Sequence, residues 1–186
     1  VASAEARPPR RKPVPAPRLR YNRPMEHAAP FAPSTAVRPD AADGPHPPVL
    51  APHEPPPFEV LNAEATRPLL LICDHAGRRI PEALGTLGLD NADLHRHIAW
   101  DIGTGPITRH LADRLGACAV LGVYSRLVVD LNRPPGAPDS IPPVSDGTPV
   151  PGNQGLTEAE EAARIDALFN PYHAEVNRRL HHLWRA

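Results

Sequence analysis

The sequence carries almost no surplus charge. Its 20 basic and 21 acidic residues give a formal net charge of -1 over 186 positions. Phosphate binding needs a concentrated positive surface, so the bulk of the chain does not read as a nucleic-acid protein. No apolar run approaches the ~18 to 20 residues of a membrane span, and no signal-peptide apolar core is visible, so a soluble cytoplasmic protein is expected. There are only two cysteines, Cys73 and Cys118. Both sit in or beside apolar runs, which favours buried reduced thiols over a disulfide. Methionine occurs once, at Met25, while the chain begins at Val1, so the first residues read as an upstream extension. No internal repeat is present.

Apolar periodicity is almost missing from the first third, where 16 of the 27 prolines precede Phe58. A segment that buries little apolar area does not offset its ordering entropy. Residues 1–57 are therefore expected to be a disordered tail, and residues 58–186 a single small domain. The tail holds seven basic residues between Arg7 and Arg23, which leaves an electrostatic tail as an alternative to a plain extension.

The domain has a clear rhythm. Leu69 to Cys73 lacks polar alternation and predicts a strand covered on both faces, with Asp74, His75, Ala76 and Gly77 just past its carboxyl end, where α/β sheets bind ligands. Pro81 opens a short helical turn. Leu94, Ile98 and Asp101 fall at helical spacing, which would place the Asp101 carboxylate on an inward face, where it needs a partner. Ile107, Leu111 and Leu115 trace a helix that Gly116 can end. Ala117 to Val123 predicts a buried strand and Tyr124 to Arg133 another, giving an α/β layer arrangement. Arg133 to Leu156 is turn chemistry at a length that suggests function. Thr157 with Glu160 forms a capping box, and a long apolar stripe from Ile165 to Leu183 predicts a helix kinked or divided at Pro171.

His75 and Asp101 suit a divalent ion such as zinc, with Asp74 as a possible substitute or orienting group. A hydrogen-bonded core pair is the commoner role for such residues. Arg126, Asp130 and Asn132 would share one strand face, and with Arg133 they suggest recognition of an acidic substrate. An internal Arg126–Asp130 ion pair explains the first two equally well. The turn Asp101-Ile-Gly-Thr-Gly-Pro lacks the spacing of a phosphate-binding fingerprint. Cys73 near His75 could form a nucleophile and base, but a strand cysteine normally points into packing.

Taken together, CDHAG at 73–77, HIAWDIG at 97–103, YSRLVVDLNRP at 124–134, SDG at 145–147, PGN at 151–153 and PYH at 171–173 resemble the N-formylglutamate amidohydrolase family. The resemblance implies a zinc-carboxypeptidase-like α/β fold: three layers, with a mixed, mostly parallel sheet and helices on both faces. It implies hydrolysis of the N-formyl or N-acyl amide of an acidic amino acid by a metal-activated water. His75 and Asp101 would be zinc ligands, and Asn132 with Arg133 would grip the substrate carboxylate, with Arg126 nearby. Family members continue into a further strand with a histidine in a segment like SIHSFTP, then to a carboxylate base. The sequence ends at Ala186, so the resemblance implies a C-terminally truncated domain without the third ligand and base. A non-catalytic remnant that binds acidic metabolites is the alternative.

Overall fold

The computed structural model describes residues 48–185. The Arg7–Arg23 patch and most of the proposed tail lie outside that range. Residues 48–57, placed by composition with the tail, are packed: Val49 is buried, Pro57 accepts from the Val123 amide at 3.0 Å, and Pro55 accepts from the Tyr124 hydroxyl at 2.8 Å. Proline-rich chain can pack wherever its carbonyls find donors, and here the strand end supplies them.

The centre of the fold is β3 (Cys118–Gly122), buried at all five positions. β1 (Phe58–Leu61) pairs with it antiparallel, Phe58 opposite Gly122. β2 (Leu70–Cys73) pairs on the other side, parallel, with Leu70 opposite Cys118. The sheet is mixed as expected, but the two pairings are one of each kind, so "mostly parallel" does not hold among the described residues. Side chains alternate across β3. Ala119 and Leu121 meet Ala112 of α1 (Thr104–Leu115) on one face. Val120 points to the other, with Tyr172 and Val176 of α3 (Asn170–Arg185). Helices therefore cover both faces. Each fully buried valine or leucine at this centre contributes about 1.5–3 kcal/mol.

The predicted strand is present as β2, at the sheet edge, but is not covered on both faces: Ile72 is 48% exposed and Leu69, just before it, 39%. The α1 stripe also departs from expectation. Gly116 ends the helix in the left-handed conformation at φ 58°, its amide reaching the Ala112 and Asp113 carbonyls. The face laid on the sheet, however, is the small-residue side with Gly105 and Ala112, while Ile107, Leu111 and Leu115 are exposed. Small residues let the helix approach the strands closely, with Ala112 packed against Ala119 and Leu121.

Two further expectations fail. The region around Leu94 to Asp101 holds only a 3-10 turn, Asp93–His95, followed by further turns. Tyr124 to Arg133 is not a strand: beyond an isolated bridge between Arg79 and Tyr124 the chain turns repeatedly. Leu127, Val128 and Val129 are buried all the same. Local groups replace the missing ladder, since the Ser125 hydroxyl accepts from the Leu127 amide and the Ser125 carbonyl from the Val128 amide. An apolar run states burial, and its backbone can be satisfied without a strand.

The long loop after Arg133 contains a two-stranded hairpin, β4 (Val144–Ser145) and β5 (Thr148–Pro149), and a 3-10 turn at Pro151–Asn153. Thr157 and Glu160 form the capping box of α2 (Glu158–Arg164). A π-helical turn, Ile165–Phe169, then separates α2 from α3. Pro171 lacks the N–H that would continue the ladder, so the helix widens before it. No helix among the described residues is long and apolar enough to cross a membrane.

Candidate active site

The carboxyl end of β2 turns sharply at Asp74 to Gly77 and lies flat on the end of β3. Two glycines permit this approach. A Cβ at Gly122 would meet the Asp74 carbonyl oxygen at 2.4 Å, and one at Gly77 would meet the Val123 carbonyl oxygen at 2.0 Å. The corner buries His75, which is 6% exposed, and its carbonyl accepts from the Asp101 amide at 3.0 Å.

Four charged or titratable side chains close a ring there. His75 Nδ1 lies 3.2 Å from Asp101 Oδ2, and His75 Nε2 lies 2.7 Å from Asp130 Oδ1. The Arg126 guanidinium donates to Asp101 Oδ1 at 3.2 Å and to Asp130 Oδ2 at 2.8 Å. Asp130 also accepts from the Asn132 amide at 2.8 Å. Each aspartate is thus held by both the imidazole and the arginine. Burial disfavours the charged imidazole, but the hydrogen bond and charge of Asp130 outweigh it and hold the His75 pKa above its ordinary value. Burial likewise works against the Asp130 carboxylate, yet His75, the Asn132 amide and Arg126 keep its pKa below the usual carboxylate value. A pocket opens beside the ring, lined by Ile72, Asp74, His75, Asp101, Thr104 and Asn132.

Of the residues singled out in the sequence, His75, Asp101 and Asn132 therefore converge on one pocket. Asp101 comes from a turn, and its side chain is 45% exposed, so it sits at the pocket mouth and not on an inward helix face. Arg126 and Asp130 meet by turning, not by strand alternation, and form the internal ion pair. Arg133 does not line this pocket. Its side chain is 46% exposed and bonds Asp139 at 2.9 Å.

The donor set fits a metal in part. Two ligands about 2.0–2.1 Å from one tetrahedral ion stand roughly 3.3 Å apart, close to the His75 Nδ1 to Asp101 Oδ2 separation. With Asp130 accepting at Nε2, Nδ1 is the nitrogen left to face Asp101. A carboxylate on the far nitrogen is the usual support of a metal-binding histidine. Among the described residues, no group of three or more His, Cys, Asp or Glu side chains is arranged to hold a metal. The role of Asp130 toward His75 escaped the sequence reading. Its signal was there: an aspartate inside Leu-Val-Val-Asp-Leu is bound to be buried, and a buried carboxylate requires a partner.

Comparison with known proteins places the chain in a family. The family model for N-formylglutamate amidohydrolase matches residues 67–186. The N-formylglutamate deformylase of Pseudomonas putida is 32% identical over 127 residues, covering 62% of this chain and 46% of that protein. That of Pseudomonas aeruginosa is 32% identical over 132 residues, covering 63% and 47%. The crystal structure of an Agrobacterium tumefaciens gene product superposes with a TM-score of 0.69 at 40% identity, over 70% of this chain and 52% of its own. The chain spans about half the length of the curated relatives it matches. It belongs to the N-formylglutamate amidohydrolase family.

Proposed function

We propose that the chain carries the metal-holding part of a cytoplasmic amidohydrolase site that cleaves the N-formyl amide of N-formylglutamate, or of a closely related N-acyl acidic amino acid. The observation that carries this reading is the His75–Asp101 pair, set at a ligand-to-ligand separation and facing a pocket, with Asp130 fixing the far side of the imidazole. The names and identity of the deformylase relatives support the substrate class. We extend the reading to a zinc-carboxypeptidase-like architecture on the strength of the mixed sheet with helices on both faces.

His75 Nδ1 and Asp101 would hold a zinc or similar divalent ion. Such an ion, when bound, supplies Lewis acidity for activating water and polarising an amide carbonyl. The protein's own residues do the rest. Asp130 keeps the imidazole turned so that Nδ1 faces the pocket. Arg126 bridges the two aspartates and offsets the repulsion between their carboxylates. Asn132 offers an amide to the substrate beside the corner. The Arg133 guanidinium would meet the substrate carboxylate by exchanging Asp139 for it, a charge-assisted contact of roughly 1.5–3 kcal/mol.

The test is formate release from N-formylglutamate in zinc-supplemented buffer, with zinc affinity measured in parallel. His75→Ala is expected to lower both by at least ~10 to 100-fold. Unchanged formate release in that variant overturns the ligand assignment.

A further inference from the structure

The third and fourth residues of α3 have no part in the function above, yet both reach the chain segments that build the site. Tyr172 is fully buried, and its hydroxyl donates to Asp74 Oδ1 at 2.7 Å across 98 positions of sequence. Next to it, His173 Nε2 lies 2.8 Å from the Leu131 carbonyl, its ring 4.2 Å between centroids from Phe169. Asp74 directly precedes His75, and Leu131 separates Asp130 from Asn132. A single helical turn therefore grips both segments.

The aim of that turn is set locally. The π-helical turn Ile165–Phe169 and the missing N–H of Pro171 rotate the start of α3 relative to α2. Such widened turns recur at functional sites. Burial, then the nearby Asp74 carboxylate, push the Tyr172 pKa far up, so the phenol remains a donor under all ordinary conditions. Asp74 is only half-buried and lines the same pocket as His75 and Asp101. Without a donor on Oδ1, its carboxylate is free to rotate toward solvent, and the corner that presents His75 loses its anchor on the α3 side.

We propose that Tyr172 is a positioning residue for the metal site, acting through Asp74 to hold the β2 corner at which His75 faces the pocket. This rests on the metal reading given above. A tyrosine that merely fills the core would act through packing alone, and Tyr172→Phe preserves that packing while deleting the hydroxyl.

The experiment is a double-mutant cycle on the full chain, with zinc affinity read by competition against a chromophoric chelator and a thermal melt of each variant. Tyr172→Phe is expected to weaken zinc binding about 10-fold, the usual scale for groups that orient a ligand. In the Asp74→Ala background the same change is expected to alter it less than about twofold, because the hydroxyl then has nothing to hold. Equal losses in both backgrounds, or less than a twofold loss in the single variant, overturn the proposal. Should Tyr172→Phe fail to melt cooperatively, Asp74→Asn and Asp74→Ala decide together: a roughly 10-fold loss in Asp74→Ala that Asp74→Asn restores to within about twofold supports the anchor, and equal losses, or none, remove it. Wild-type chain that binds no zinc overturns the anchor and the metal reading together. Wild-type chain that binds zinc but releases no formate leaves the anchor standing and overturns only turnover by this chain on its own.

Discussion

Two ionic networks in this molecule use similar groups in opposite ways. On α3, Glu175 accepts from Arg178 at 2.8 and 2.7 Å and from Arg179 at 2.6 Å, all within four residues, and Arg179 also caps the Ala63 carbonyl at 2.7 Å. In the ring, His75, Asp101 and the Arg126–Asp130 pair come from three separate segments up to 55 positions apart. The helical cluster is assembled by the helix that carries it. The ring exists only once the whole fold does, so its geometry is as fixed as the packing around it. That arrangement adds little to stability, since a buried ion pair seldom gains more than its desolvation costs.

The largest effect should come from breaking the ring. Asp130→Ala leaves the buried imidazole and the guanidinium without their shared partner, and it is expected to destabilise the chain by ~3–5 kcal/mol in urea melts. A smaller, diagnostic difference lies in pH. The His75 pKa is raised in the fold by Asp130, with Asp101 and Arg126 the other charged groups facing it. Its contribution is therefore complete below the unfolded histidine value of about 6.5 and lost as pH rises through the higher folded value. The Glu175 pKa is lowered by Arg178 and Arg179 against the opposing effect of burial. Its contribution is present above the unfolded carboxyl value and lost as pH falls through the lower folded one. Melts in zinc-free buffer should show His75→Gln flattening the alkaline limb and Glu175→Gln the acid limb. A shared limb would mean the two networks do not differ as described. The smallest effect is expected for Glu175→Gln at neutral pH, about 1 kcal/mol, because the amide oxygen still accepts from one arginine.

The same division explains what could be read from the sequence. The capping box at Thr157, the α1 end at Gly116, the turn after Pro81 and the buried run of β3 rest on neighbours in sequence, and the structure has all of them. His75 and Asp101 were legible as a pair, because polar groups at a strand end and beside an apolar segment demand an explanation. The path by which they meet was not. Leu127 to Val129 obey no strand ladder, and Asp101 sits in a turn whose anchor is the His75 carbonyl. Tyr172 falls on the apolar stripe and in the PYH motif, but nothing local betrays that its hydroxyl serves a residue 98 positions earlier.

The outer rim of β2 has a practical bearing on anyone handling the protein. Its outward amides and carbonyls pair with no other strand among the described residues, and Ile72 stands open there, with Ile107 beside it in the pocket wall. Such a rim is adhesive toward any extended polypeptide. It borders the pocket lined by His75 and Asp101, so an extended segment added there would narrow access to that pocket.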